Sequence, residues 1–510
     1  MRNWIWFIFL HTSVSAQWNP VVVEQGKKHL PLLVEFLSLP CDAAIPRDME
    51  ANIQWVEKNF ANRGFTSTRM TTPTQPVLLL EKKAKSEQAP TVMMYFHADG
   101  QAVHPTEWDQ PSPYQAVLKQ PTGQGRWETI DLAALQGEIH PDWRLFARAA
   151  SDDKGPGVML LAALASLEQW KRELPFHLKV LVDFEEEKGS TSLPGIIAQH
   201  RDALKSDILL ILDGPAHPSQ APTITYGARG ITTVTLTVWG PTTPLHSGHY
   251  GNYAPNPVFS AAQLLHSMKD ASGRVLVSGY YDGISPSPEV LGRLKQVPDD
   301  IPTLHKRLGI RTPDQVGQTY QESLLYPSLN IRGMQAAQVG SAAGTVIPDK
   351  VVIEIDIRTV MATRPEQLIE KLKKHIERQG FHLVPDQSPS PDLRAQYDKL
   401  ISLTVQRGYE AFGTSMDGPE SQWVRTAVQS VHSEAIVEIP TMGGSVPIAP
   451  FVSLLQVPAI IIPTVNSDNN QHAANENLRL GHYFQGIQTL VGLLSTPFPQ
   501  TPKKEKEKKR

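Results

Sequence analysis

An open α/β sheet carrying a smaller α+β unit is the fold class this sequence predicts, on three observations. At 510 residues the chain exceeds one ordinary domain. Three short apolar runs, Thr91 to Phe96, His177 to Phe184 and Asp207 to Leu212, are each followed at once by polar residues, as in sheets whose strand ends gather ligands. From Gly230 to Trp239 the pattern changes to alternation, a strand with one polar face that opens a second unit.

Hydrophobic residues make up 40% and charged residues 19% of the chain, with a formal net charge of -3. That balance describes a soluble globular protein and leaves no cationic field for nucleic acid. Cys41 is the single cysteine, which excludes an internal disulfide framework and any cysteine-based zinc site. A metal would have to be held by His, Asp and Glu, and Cys41 is expected as a small buried hydrophobe. Residues 1–16 combine Arg2, an apolar stretch from Trp4 to Leu10 and Val14-Ser15-Ala16, the layout of a signal peptide cleaved after Ala16. Export to a periplasm or to the exterior follows. The stretch is too short to span a bilayer, and with no later run of about 20 apolar residues no membrane span is expected. Residues 501–510, T-P-K-K-E-K-E-K-K-R, read as a disordered basic tail.

In chain order, residues 25–37 and 45–60 carry helical apolar spacing, with Arg47 and Asp48 near a helix start. The strand Thr91 to Phe96 runs into His97-Ala98-Asp99-Gly100. A histidine there suits a ligand site, with Asp99 able to hold its second ring nitrogen; taken alone, the pair reads more simply as a satisfied structural histidine. Residues 104–148, rich in Pro, Gln and Trp, read as an extended loop region. The Ala/Leu-rich run from Val158 to Trp170 is a buried helix, and Asp152 ahead of it fits either an N-cap or a bridging metal carboxylate. Val180 to Ser190 reads V-L-V-D-F-E-E-E-K-G-S, an apolar strand ending in three carboxylates. Such crowding is unfavourable unless a cation joins it, with a solvated corner as the plain alternative. The strand Asp207 to Leu212 ends in Asp213. Chance places one metal-competent residue at a strand end more readily than it places three.

The second unit continues through the loop Pro244 to His249, a helix from Asn256 to Lys269 and a loop-rich insertion to about Tyr326. A strand from Val351 to Val360 and a helix from Pro365 to Gln379 complete an α+β sandwich. Arg358 lies in that half-polar strand, where a solvated face is the ordinary reading. The chain then returns to the first unit, with helices expected over 400–412 and 420–431. The turn Thr441-Met442-Gly443-Gly444-Ser445 and a last apolar strand, Ala459 to Pro463, precede His472.

His97, Asp152, Glu186, Glu187, Asp213 and His472 offer two imidazoles and four carboxylates, about the inventory that two zinc ions sharing one carboxylate require. In order, the chain reads H-A-D at His97, S-D-D-K-G around Asp152, E-E-K-G-S from Glu186, L-D-G at Asp213, L-H-S-G at His246 and H-A-A-N-E at His472. These motifs resemble the dizinc metallopeptidase family of carnosinase-type dipeptidases, aminoacylase and succinyl-diaminopimelate desuccinylase, over nearly all of the mature chain. The resemblance implies a zinc-exopeptidase-like catalytic domain, a mixed central sheet flanked by helices, over 17–228 and 382–500. An inserted α+β sandwich over 229–381 would act as lid and homodimerisation domain.

Further implied are two Zn2+, with Mn2+ or Co2+ as substitutes. His97 and Asp213 would hold one, Glu187 and His472 the other, and Asp152 would bridge them. Asp99 would orient His97, and Glu186 would be the general base for a metal-bridging water. The family also often has a cis peptide at the position of Asp152-Asp153. His246 would reach across a homodimer to stabilise the oxyanion. The runs Tyr326 to Asn330 and Gly344 to Pro348, with Ile357-Arg358, resemble the longer, carnosinase-like branch. There Arg358 would bind the substrate's free carboxylate, with Asn330 and the Gly443-Gly444-Ser445 turn lining the pocket. Departures occur at Gly100-Gln101-Ala102 for Val-Gln-Pro, Ala147-Arg148-Ala149 for Gly-Arg-Gly, and Thr441-Met442 for Arg-Glu. None removes a ligand; all border the expected pocket and bear on substrate choice.

The expected function is zinc-dependent hydrolysis of an amide bond next to a free carboxyl end, by a dipeptidase or related exopeptidase. An N-acyl-amino-acid deacylase would use the same site with another pocket. A catalytically silent peptide-binding protein would keep the fold without needing Glu186.

Overall fold

Apolar runs with no polar face must be covered on both sides, and in the computed structural model, which describes residues 18–499 except 124 and 386, they form the middle of a sheet. The signal segment 1–16 and the basic tail 501–510 lie outside the described residues. The chain divides into two units: one runs through Tyr226 and adds Thr414–Ile439 and the chain from Pro450, the other comprises Gly227–Gly413 and Pro440–Ala449.

The first unit holds an eight-stranded sheet in the order Thr66–Met70, Val77–Lys82, His177–Asp183, Thr91–His97, Ile208–Ile211, Ala459–Ile461, Thr223–Thr225, Val437–Ile439. His177–Asp183, Thr91–His97, Ile208–Ile211 and Ala459–Ile461 are mutually parallel, so their carboxyl ends lie along one side. Val77–Lys82 pairs antiparallel to His177–Asp183, which makes the sheet mixed. Helix Lys154–Gln169 is buried from Lys154 through Leu167 and packs on helices Pro20–Leu37 and Leu480–Ser495. Asn19 starts the first of these by accepting the Val21 N–H, with Pro20 at the first helical position.

Residues 104–148 are not one extended loop. Strands Val117–Gly123, Arg126–Ile130 and Arg144–Phe146 join Asn477–Arg479 in a four-stranded sheet. Pro121 and an irregularity between Pro121 and Gly123 break the alternation that would announce the hairpin. Cationic heads sit over its aromatic rings, Lys119 Nζ 4.5 Å from the Phe146 centroid and Arg144 Cζ 4.7 Å from that of Trp127.

The second unit, taken by itself, is a five-stranded sheet in the order Ser328–Gln335, Lys350–Thr359, Gly230–Trp239, Leu400–Arg407, His382–Val384. Inward residues Val234, Leu236, Ile353 and Ile355 meet Leu264 of helix Pro257–Met268 and Leu368 and Leu372 of helix Pro365–Arg378, the expected α+β sandwich. The helix expected over 400–412 is instead strand Leu400–Arg407, with Leu403 opposite Leu236 and Val405 opposite Val234. Leu400 and Leu403 at i, i+3 and Ile401 and Val405 at i, i+4 suit a helix, Ile401, Leu403 and Val405 alternate as in a strand, and pairing with Gly230–Trp239 decides between them. The boundary at 381 moves for the same reason: residues 382–413 complete this sheet, and Pro440–Ala449 belongs with it. The insertion before Tyr326 also contains helices Pro288–Leu294 and Ile301–Leu308.

Two buried histidines predict acid lability in the first unit. Burial pushes His432 down to about 4 and His482 down to about 3. In the unfolded chain both titrate near pH 6.5, so below that pH the unfolded state holds more protons and stability falls as pH drops. Between pH 7 and pH 5 each histidine is expected to remove about 2 kcal/mol. The check is a melting temperature that declines over this window and declines less steeply in His432→Gln.

Candidate metal centre

Each of the four parallel strands delivers chemistry at or beyond its carboxyl end. His97 is the last residue of Thr91–His97, Asp213 follows Ile208–Ile211, Glu186 and Glu187 form the short turn Glu186–Lys188 after His177–Asp183, and His472 lies beyond Ala459–Ile461. Asp152 precedes helix Lys154–Gln169. His97 Nε2 lies 2.8 Å from Asp152 Oδ1, and His472 Nε2 lies 3.1 Å from Asp152 Oδ2 and 3.3 Å from Glu187 Oε2. The donors form two groups, His97-Asp152-Asp213 and Asp152-Glu187-His472, whose atoms lie within 4.8 Å of one another. Asp152 is common to both. All five residues read as ligands are thus brought together, and Glu186 is in neither group.

Asp152 is not an N-cap. That position falls to Asp153, which makes no side-chain cap bond, while the Asp152 carboxylate turns toward the imidazoles. The Asp152-Asp153 peptide is cis. His472 has φ 63 within a loop where Asn470 and Asn475 are also left-handed at φ 56 and 60, a conformation that Asn and His adopt more readily than most side chains.

Buried acids hold the strand-end segments in register. Asp99 Oδ1 lies 3.3 Å from His97 Nδ1, and the two Asp99 oxygens accept the N–H groups of Glu186 at 3.1 Å and Glu187 at 3.0 Å. It therefore positions the His97 ring and the turn carrying Glu187. Asp183 accepts the Glu185 N–H at 3.0 Å and the Ser190 hydroxyl at 2.5 Å, closing the acidic turn, and Gly189 ends it at φ 91. Glu185 is buried and accepts from Thr74 Oγ1 and from the Ser192 N–H at 3.3 Å, so it acts as a structural acid. Gln101 Nε2 donates to Glu187 Oε2 at 2.7 Å. Sequence reasoning missed Asp183, Gln101 and Glu476 as supporting residues: Gln101 meets the Glu187 side chain, and Asp183 and Glu476 accept backbone N–H groups, which no residue type announces.

The electrostatics call for a cation. Burial pushes Glu187 up to about 7 and Asp213 up to about 6, with Asp152 adding to both. Burial also pushes Glu186 well up; His97 opposes this, while Asp213, Glu187 and Asp152 add to it. Burial works against charge on His97, yet Glu186, Asp152 and Asp99 outweigh it and raise that pKa well above the imidazole value. Contact with Asp152 raises His472 to about 9. Asp152 Oδ2 is buried without a hydrogen bond among the described residues, although His472 Nε2 stands 3.1 Å away. Imidazole nitrogens and carboxylate oxygens gathered within 4.8 Å of one another fit a divalent cation.

Within the second unit, Arg358 Nη1 donates to Ser445 Oγ at 2.9 Å, Arg229 Nε donates to the Gly443 carbonyl at 3.1 Å, and Asn330 Nδ2 donates to Asp356 Oδ2 at 2.8 Å. Asp356 Oδ1 lies 3.9 Å from Arg358 Nε. Arg358, Asn330 and the Gly443-Gly444-Ser445 turn are therefore linked, and Arg358 is not on a plain solvated face. His246 is exposed; its Nδ1 accepts the Gly248 N–H at 3.0 Å, and its ring centroid lies 4.7 Å from that of His249.

Residues 117–496 match the sequence pattern of Peptidase family M20/M25/M40. The Cys-Gly metallodipeptidase DUG1 of Candida albicans is 28% identical over 356 residues, covering 69% of this chain and 71% of that protein. The Beta-Ala-His dipeptidase of Homo sapiens is 26% identical over 358 residues, covering 68% and 67%. The crystal structure of the M20 family metallo-carboxypeptidase Sso-CP2 from Sulfolobus solfataricus superposes with a TM-score of 0.73 at 25% identity, over 92% of this chain and 99% of that one. With the family pattern running through both units and the donors gathered at the strand ends, the chain belongs to peptidase family M20/M25/M40 and is a metallopeptidase.

Proposed function

We propose that this chain is a zinc-dependent dipeptidase or closely related exopeptidase, which hydrolyses the amide bond next to a free carboxyl end. The observation that carries this reading is the pair of donor groups sharing Asp152, with Glu186 half-buried beside them and left out of both. His97, Asp152 and Asp213 would hold one Zn2+, and Asp152, Glu187 and His472 the other. Bound zinc lowers the pKa of water and polarises a carbonyl. Glu186 takes the proton of the attacking water and hands it to the leaving amine, a task suited to a carboxyl whose pKa burial has raised. Asp99 keeps the Glu186 backbone and the His97 ring in place while this happens. The printed names of the relatives describe dipeptidases, one for Cys-Gly and one for Beta-Ala-His.

Arg358 receives the substrate carboxylate, because a guanidinium fork matches its two oxygens, with Asn330, Gly443, Gly444 and Ser445 as pocket lining. The second unit forms a homodimer interface that carries His246 to the other copy. Support for this is the apolar surface next to it, where Tyr250, Tyr253 and Phe259 are 45%, 89% and 71% exposed. The signal-like segment 1–16 assigns the protein to an exported compartment.

The test is a substrate panel with the Zn2+-loaded chain. Free dipeptides are expected to be cleaved at least about 100-fold faster in kcat/KM than their C-terminal amides or N-acyl amino acids. Preferred turnover of N-acyl amino acids would install a deacylase instead, and failure to hydrolyse any dipeptide would sink the proposal.

A further inference from the structure

We infer that Glu476 is a positioning residue that yokes the bridging Asp152 to His472, and so sets the affinity of the metal held by Asp152, Glu187 and His472. The inference rests on the ligand reading above. Glu476 is fully buried, four residues beyond His472, and is in neither donor group. Its Oε1 accepts the N–H groups of Ser151 at 2.9 Å and Asp152 at 3.0 Å; its Oε2 accepts the Ala149 N–H at 2.9 Å and Arg148 Nη1 at 2.8 Å. Ala149 at φ 61 turns the local N–H groups to one side, making an anion-binding nest that this carboxylate fills. Two further bonds join the same segments: Ala147 N–H to the Glu476 carbonyl at 3.1 Å, and Ser151 Oγ to the Asn477 carbonyl at 2.8 Å.

The chemistry of those donors makes the negative charge necessary. Three N–H groups and a guanidinium converge on two oxygens, so a neutral amide of the same shape would turn its NH2 toward donors and leave part of the turn unsatisfied. Arg148 is itself held over the Trp108 ring at 5.3 Å, which fixes the counter-charge. One side chain thus clamps the turn that ends in Asp152 to the segment that follows His472. Since both residues are donors to the same group, a shift of this turn moves Asp152 relative to His472 and Glu187. Residues that orient metal ligands from outside typically carry a 10- to 100-fold share of affinity.

Zn2+ titration of the metal-free chain tests this, with His472→Ala run in parallel. Glu476→Gln is expected to weaken one of the two binding steps about 10- to 100-fold. Half-activation would move to correspondingly higher free Zn2+, with the dipeptide KM at saturating metal unchanged. Glu476→Asp, which keeps the charge but withdraws it by one methylene, is expected to weaken the same step, and it decides the matter if Glu476→Gln does not fold. His472→Ala should lose that step outright; if it keeps it, the ligand reading itself falls. If His472→Ala loses the step while folded Glu476 variants bind Zn2+ like the wild type, even with a lowered melting temperature, Glu476 is merely structural and the inference is overturned.

Discussion

Replacing Glu186 by Gln is expected to lower kcat about 100- to 10,000-fold while bound metal and dipeptide KM stay at wild-type values. The substitution keeps the shape of the side chain and removes only its capacity to take a proton. The donor groups run through Asp152, Glu187, Asp213 and the two histidines without Glu186, so metal content has no reason to change. The Glu186 N–H bond to Asp99 is a backbone bond and survives the change, which keeps the turn in place. Steady-state kinetics beside metal analysis of the same preparation reads the result. Unchanged kcat would refute Glu186 as the base. Loss of one metal would instead shift the register of the acidic turn by one residue and make Glu186 the ligand.

Asp152→Asn is expected to produce the broadest defect, weakening both metal-binding steps by more than about 100-fold and taking activity below detection. Asp152 alone belongs to both donor groups, and it stands against both imidazoles, at 2.8 Å from His97 and 3.1 Å from His472. An amide can present one neutral oxygen, not two charged ones, so neither cation keeps its shared counter-charge. Metal stoichiometry after dialysis against buffered Zn2+ gives the answer. If Asp152→Asn retained two ions, the bridging role would be lost, whereas retention of one would show that the two groups bind independently.

These two experiments separate the proposed donors from the proposed base: His97, Glu186, Glu187 and Asp213 lie at or just beyond apolar strands and Asp152 ahead of a buried helix, while the division into ligands and base is what the family resemblance implies. His97, Asp213 and the acidic turn could be read from sequence, since a buried parallel strand is a local pattern and the polar residue after it is a local event. Their supports could not. Asp99 gains its second role by accepting N–H groups at Glu186 and Glu187, and Glu476 reaches a turn more than 300 residues earlier in the chain. The pattern of its strand gives Arg358 only an ordinary polar position; the resemblance pairs it with the Gly443-Gly444-Ser445 turn, and its bond to Ser445 joins the two.

The failures have the same origin. Residues 400–412 carried a spacing that suits a helix face, and the strand wins because Gly230–Trp239 offers it a partner along its whole length. The hairpin within 104–148 was hidden by Pro121, which the ladder accommodates at an irregularity. Sequence by itself determined the stock of imidazoles and carboxylates at the strand ends and the two-unit plan, because residue type and apolar period act over a few neighbouring positions; Glu186 as base is what the family resemblance implies. Only the tertiary structure decided which oxygen meets which imidazole, where the second unit ends and what holds Asp152. Those depend on hydrogen bonds between distant segments, and a backbone N–H has the same identity in almost every residue.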